Sequence, residues 1–277
     1  MSLVSTNWLS ENKNNVKILD SSWHLPSEER NSFLEFNLEH IPNSIYFDID
    51  KNSDETSSLP HMLPRKEKWE EVMSSLGITN DDKIVIYDNS NLISSCRLWY
   101  TFLYFGHSKD LVNVLNGGLE KWKKDNFPTT KEYTTLFRSN YFASENKDMV
   151  KNLEDIKANI NNRKFKLIDG RNKRRFEGSE AEPRKGLRSG SIKNSVCLPF
   201  NSVIKKNKTF KENNQLKKIF KGVIDNANKN NVVFSCGSGI TSCVLALAYS
   251  LINNNYNPTI YDGSWAEYGR IGNEKNN

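Results

Sequence analysis

Short apolar, β-branched runs alternate with helix-length patterns along this chain, and they do so twice in the same order. In the first half, Val16-Lys17-Ile18-Leu19-Asp20 reads as a buried strand that ends in Asp. Lys83-Ile84-Val85-Ile86-Tyr87-Asp88 is a second such strand, and the apolar stretch from Ser95 to Phe105 has helix length. Leu111 to Leu115 then leads into Asn116-Gly117-Gly118-Leu119-Glu120-Lys121-Trp122.

The second half repeats this plan with Phe165-Lys166-Leu167-Ile168-Asp169, Val232-Val233-Phe234-Ser235-Cys236, a helix from Ser242 to Leu251, and Thr259 to Tyr261 leading into Asp262-Gly263-Ser264-Trp265. Strands of this kind alternating with helices predict an α/β protein of two tandem domains, each a mostly parallel sheet flanked by helices. The expected boundaries are a first domain over 1–135, a linker over 136–150 inside the polar stretch Pro128 to Val150, and a second domain over 151–277. A connection this long exceeds ordinary loops, which favours a linker between domains. The two copies superimpose Asp88 on Cys236, so one copy carries a thiol where the other carries a carboxylate.

Composition narrows the chemistry. The 277 residues are 36% hydrophobic and 26% charged, which supports packed cores rather than disorder. No apolar run approaches the roughly 20 residues that cross a bilayer, and the N-terminus lacks the basic-then-apolar pattern of a secretory signal, so a cytoplasmic protein without a membrane partner is expected. Residues 1–135 carry a net charge of −6 and residues 136–277 one of +12, so the second half is the place to look for an anionic ligand. The basic run between 163 and 188 raises nucleic acid as a partner, but Phe165 falls within a strand pattern, and no nucleic-acid role is expected. None of the four cysteines (Cys96, Cys197, Cys236 and Cys243) stands at metal-ligand spacing from another cysteine or a histidine, so no metal is expected. Cys96, Cys197 and Cys243 read as core or structural residues.

Cys236 is different. It opens the loop Cys236-Gly237-Ser238-Gly239-Ile240-Thr241 between a strand ending at Ser235 and a helix beginning near Thr241 or Ser242, both good N-cap types. Two glycines let the backbone turn sharply and direct amide N–H groups into a common bowl at a helix N-terminus. A cysteine there should ionise readily, and the same bowl suits a persulfide anion. Phosphatase chemistry would need an arginine at the sixth position after the thiol; that position is Ser242.

These motifs, together with Leu3 to Leu9, Leu19-Asp20-Ser21-Ser22-Trp23, His40-Ile41-Pro42, Phe47-Asp48-Ile49-Asp50, His61-Met62-Leu63-Pro64, Arg175-Phe176-Glu177-Gly178 and Glu182-Pro183-Arg184, mean that nearly the whole chain resembles the tandem-rhodanese sulfurtransferases. Within them it is most similar to the branch that takes sulfur from 3-mercaptopyruvate. The resemblance implies two rhodanese-like domains, an inactive first copy marked by Asp88, and an active site between the domains under the Cys236 loop. It implies Cys236 as nucleophile and Arg175 and Arg184 as substrate-binding arginines, a role suited to a planar guanidinium facing a carboxylate. Gly237, Gly239, Ile240 and Thr241 line the same donor site. Asp50, His61 and Ser238 match the family's proton relay, a histidine oriented by a carboxylate and touching a hydroxyl. Uncharged Gly237 and Ser238 point to mercaptopyruvate rather than dianionic thiosulfate.

The expected activity is therefore transfer of sulfur from a small anionic donor, 3-mercaptopyruvate, through a Cys236 persulfide to a thioredoxin-like protein, a small thiol or cyanide, with no cofactor. The alternatives are a thiosulfate:cyanide sulfurtransferase on the same thiol, or a non-catalytic rhodanese-like sulfur-relay or binding protein. Arg171, Lys173, Arg174 and Lys185 are expected to be solvated. Asn43 and Asn194 stand where the family usually has glycine, which puts the local turn geometry in question.

Overall fold

A computed structural model of the chain describes residues 2–224 and 229–270. These fall into two compact units. The first contains the residues up to Glu55, then Leu63–Asn146 and Lys206–Phe210; the second contains Thr56–Met62, Lys147–Lys205 and the residues from Lys211 onward.

The first unit holds β1 (Leu3–Val4), α1 (Thr6–Asn12), β2 (Lys17–Asp20), α2 (Ser32–Leu38), β3 (Ser44–Tyr46), α3 (Lys66–Ser75), β4 (Ile84–Tyr87), α4 (Ser95–Tyr104), β5 (Val112–Leu115) and α5 (Gly118–Lys124). Its strands form one parallel sheet in the order β1-β5-β4-β2-β3. The second unit holds β6 (Val150–Lys151), α6 (Leu153–Asn162), β7 (Lys166–Asp169), α7 (Lys173–Glu177), β8 (Val196–Cys197), α8 (Asn213–Lys221), β9 (Val232–Ser235), α9 (Thr241–Ser250), β10 (Ile260–Tyr261) and α10 (Ser264–Tyr268). Its parallel sheet runs β6-β10-β9-β7-β8, the same order strand for strand. The duplication read from the sequence is thus a duplication of topology.

The central strands β4 and β9 are buried along their whole length, which is why they read as unbroken apolar runs rather than alternating ones. The helices that follow them, α4 and α9, are also buried on nearly every side. In α9, Val244, Leu245 and Leu247 are wholly enclosed, and each such side chain contributes about 1.5–3 kcal/mol. This anchors the start of α9, and with it the loop from β9. None of the described helices is long and apolar enough to cross a membrane.

The polar stretch after Pro128 has almost no regular structure but is bound along the first unit. His40 and Thr130 exchange backbone hydrogen bonds, Ser139 N donates to Ser74 O at 2.9 Å, and Asn146 N donates to Tyr104 O at 2.7 Å. Tyr141 is buried against Trp69 and His107. Asn43 and Asn194 both adopt the left-handed backbone region, with φ of 68° and 66°. Asparagine enters that region more readily than other residues with a side chain, so the turn survives without glycine in both copies.

Candidate active site

Cys236 follows directly on β9, whose last residue Ser235 is in register with Asp169 of the neighbouring strand β7. The loop turns back through Gly239 at φ +83°, a conformation that strains any L side chain. Its outer edge is tied to α10: Trp265 N donates to Cys236 O at 3.0 Å and Ala266 N to Gly237 O at 2.8 Å. Cys236 N donates to Ser264 Oγ at 3.2 Å. Ser264 holds that position with φ +49°, a strain of about 1–3 kcal/mol that the surrounding structure must absorb.

The Cys236 thiol is 1% exposed. Burial is the largest single influence on it and opposes ionisation; the Thr241 hydroxyl, the amides of Ser238 and Ser242 and the Ser242 hydroxyl together outweigh it and hold the thiol below its ordinary range. The expected N-cap is corrected here. Ile240 occupies that place without a side-chain bond, and Thr241 is the first helical residue. Its hydroxyl is recruited by the sulfur, which compensates for burial in a way a capping bond would not. The contrast with Cys197 is plain. Burial, aided by Asp169, pushes that thiol up to about 11. Cys197 is also only half-buried, not a core residue as expected, because β8 is an edge strand covered on one side. Cys96 and Cys243 are fully enclosed, and Cys243 Sγ donates to Gly239 O at 3.2 Å.

Two arginines flank the loop. A Cβ at Gly237 would lie 3.3 Å from Arg175 Nη2 and 3.7 Å from Arg184 Nη1, so the absent side chain leaves room for both guanidinium groups. Arg184 Nη2 also donates to Ser238 Oγ at 3.2 Å. Arg175 is clamped by Glu182, with Nη2 donating to Oε2 at 2.5 Å and Nε to Oε1 at 3.2 Å. The same carboxylate accepts from Arg171 Nη1 at 2.7 Å.

Arg171 is not solvated as its place in a basic run suggested. It is 2% exposed, bonded to both oxygens of Asp169, and packed with its guanidinium carbon 4.2 Å from the Trp265 ring centre. Burial works against its charge, but Asp169 and Glu182 more than compensate. Lys173 and Arg174 are exposed as expected. Glu182, which the sequence marks only as a neighbour of Arg184, is thus the joint between a buried ion pair and Arg175 beside the loop. Its spacing of seven from Arg175 and eleven from Arg171 gives no local signal.

His61 reaches the loop from Thr56–Met62, a segment of the second unit drawn from the first half of the sequence. It is buried, with φ +61°, an unusual backbone region for a residue with a side chain. Its Nδ1 lies 3.0 Å from Ser238 Oγ and 3.3 Å from Ser238 O. With Arg184 donating to Ser238 Oγ, a neutral ring protonated on Nε2 leaves Nδ1 to accept the serine hydroxyl's own hydrogen. Protonation on Nδ1 reverses the direction of that bond. Asp50 belongs to the first unit, where its carboxylate accepts from Trp23 Nε1 at 2.8 Å. Ile240 is buried at the entry to α9.

The equivalent place in the first unit holds Asp88 at the end of β4. Its carboxylate accepts from Ser90 N at 2.8 Å and Ser95 N at 3.1 Å, so the loop's own amides are used on it. Lys208 lies beside it, donating to Ser90 O at 3.5 Å and pairing with Glu120 at 3.0 Å. That place carries a carboxylate where the second unit carries a thiol.

A duplicated α/β protein with a cysteine held below its ordinary pKa range, at the carboxyl end of the central strand of a parallel sheet, has the make-up of a thiol-dependent transfer protein. The chain belongs to the rhodanese family: the rhodanese-like domain matches it twice, over residues 5–125 and 152–270. It is 36% identical to thiosulfate/3-mercaptopyruvate sulfurtransferase 1, mitochondrial, of Arabidopsis thaliana, over 96% of this chain and 75% of that protein. It is also 36% identical to the human 3-mercaptopyruvate sulfurtransferase, over 96% of this chain and 91% of that one. Among solved structures it is similar to SseA from Escherichia coli, a 3-mercaptopyruvate sulfurtransferase, with a TM-score of 0.84 and 32% identity over 96% of this chain and all of that one.

Proposed function

We infer that this protein moves sulfur from 3-mercaptopyruvate through a Cys236 persulfide to a thiol acceptor or cyanide, releasing pyruvate. The observation that carries this reading is the cradle that lowers the pKa of a fully buried thiol, with two guanidinium groups beside Gly237. The relatives' names support the donor, since they act on 3-mercaptopyruvate.

The Cys236 thiolate attacks the donor's sulfur while Arg175 and Arg184 hold its carboxylate and ketone oxygens. A sulfur–sulfur bond forms, the carbon–sulfur bond breaks, and its electron pair leaves as the pyruvate enolate, which takes a proton at carbon. Ser238 and His61 supply that proton. The second half-reaction returns Cys236 to the thiolate, so the kinetics are ping-pong. A thioredoxin-like protein or a small thiol is the proposed acceptor. Cytoplasmic residence is likewise proposed, beside a plant relative named mitochondrial; imaging a fluorescent fusion against markers of both compartments tests it.

The deciding experiment compares 3-mercaptopyruvate with thiosulfate as donor, following the intact mass for a gain of one sulfur on Cys236. The expected result is a persulfide from both and a much larger kcat/KM for mercaptopyruvate. A larger value for thiosulfate would replace the donor, and a Cys236→Ser protein that still released pyruvate at the parent rate would sink the mechanism.

A further inference from the structure

The stretch after Pro128 presents a free backbone edge on the first unit. Residues 131–146 contain no helix, turn or bend, so the chain runs on without a sharp change of direction. One side of it is anchored. Glu132 O faces His40 Nε2 at 3.0 Å, and Ser139 N donates to Ser74 O at 2.9 Å. Thr134 Oγ1 donates at 3.0 Å to the carbonyl of Ser44, which opens the edge strand β3. Phe137 O lies nearer to the place of a Cβ on Gly77 than its own carbonyl carbon does, at 3.5 Å, so this carbonyl points at Gly77. In an extended chain the N–H and C=O groups of successive residues alternate sides. Those of Thr134 and Leu136 therefore face away from the anchored side. No described residue accepts a hydrogen bond from the amides of residues 133–138.

The side chains are as open as the backbone. Tyr133 is 65% exposed, Leu136 41% and Phe137 80%. Every large hydrophobic side chain exposed among the described residues belongs to the first unit, and four of the seven fall between 133 and 142. Tyr133-Thr134-Thr135-Leu136-Phe137 has the composition of a strand, with no glycine, proline or charge. Natural edges of this kind are kept single by charges within the strand. Here the charges stand at the two ends, Glu132 and Arg138, and they are of opposite sign.

We propose that this segment docks a second copy of the chain, the two segments pairing antiparallel about a two-fold axis through Thr135. The sequence is self-complementary in that register, as an isologous contact requires. Glu132 of each copy stands opposite Arg138 of the other, and Tyr133 opposite Phe137, an aromatic cross-strand pair formed twice. Thr134 and Leu136 exchange the ladder's hydrogen bonds. Arg138 holds Glu71 of its own chain through Nη1 and Nη2, which leaves Nε for Glu132 of the second copy. Either neighbouring register that keeps the same backbone groups facing sets Arg138 opposite Thr130 or Thr134 and loses both ion pairs. Charge thus fixes the register that the backbone alone leaves open.

The test is sedimentation velocity of the full-length protein up to about 200 µM, far above the Kd of an interface of ordinary size. The sedimentation coefficient should climb from monomer to dimer with concentration, and hydrogen exchange at Thr134 and Leu136 should slow only at the high end. Phe137→Asp should stay monomeric throughout while Cys236 is alkylated at the parent rate, which shows the fold intact. Arg138→Glu should weaken the dimer by more than about tenfold, and adding Glu132→Arg should restore it to within about threefold of the parent. A monomer at every concentration would overturn the pairing and return this edge to an extended peptide of another protein. A dimer indifferent to Phe137→Asp, or no recovery in the charge-swapped protein, would equally overturn it.

Discussion

His61 Nδ1 stands 3.0 Å from Ser238 Oγ across 177 residues of sequence, and a single proton can lie on either side of that contact. The pair shares one task, so its members should not act independently. Ser238→Ala and His61→Asn are each expected to lower kcat/KM for mercaptopyruvate by about 10²-fold, the lower range for a lost acid–base group. The double variant should fall no more than about threefold further. Steady-state kinetics on the three proteins checks this, and additive losses would show that the two side chains serve different steps.

Thr241 reaches the sulfur with its hydroxyl rather than capping its helix. Thr241→Val keeps the shape and removes the donor. The pH midpoint for alkylation of Cys236 by iodoacetamide should move upward, and transfer near neutral pH should slow in proportion to the lost thiolate. An unmoved midpoint would assign the stabilisation to the amides and the Ser242 hydroxyl.

Glu182 bonds Arg171 and Arg175 at once, and its side chain is almost fully buried. Glu182→Gln leaves buried Arg171 with one carboxylate instead of two and lets Arg175 move. Urea denaturation should show a loss of about 3 kcal/mol, the usual scale for breaking a buried pair. The KM for mercaptopyruvate should rise while the alkylation midpoint of Cys236 stays put, since Glu182 is not among the groups that set it.

Asp20 in the first unit has the opposite linkage from an ordinary paired carboxylate. Burial raises its pKa from 3.8 to about 6, against the hydrogen bonds from Ser22 that lower it. Folding strengthens the proton's hold, so the favourable contribution is complete below about pH 4 and is lost as the pH rises through about 6. A shift of about two units corresponds to about 3 kcal/mol. Asp20→Asn keeps an oxygen for Ser22 and carries no charge, so it should stabilise the protein at pH 7.5 and flatten the fall in stability between pH 4 and pH 6. Chemical denaturation across that range reads both effects.

What could be read from the sequence was local. The apolar runs at Ile84–Tyr87 and Val232–Ser235 determined the buried parallel strands, because strand burial follows from the side chains of the run itself. Cys236 at a glycine-bearing strand-to-helix turn determined a thiol set among backbone amides, because those amides converge on such a turn whatever surrounds it. Only the tertiary structure decided that Arg171 is buried, that Glu182 joins it to Arg175, that Thr241 serves the sulfur, and that Thr56–Met62 brings His61 into the second unit. Those outcomes depend on which charge finds which partner once distant segments are packed, and neither periodicity nor spacing along a chain encodes the pairing.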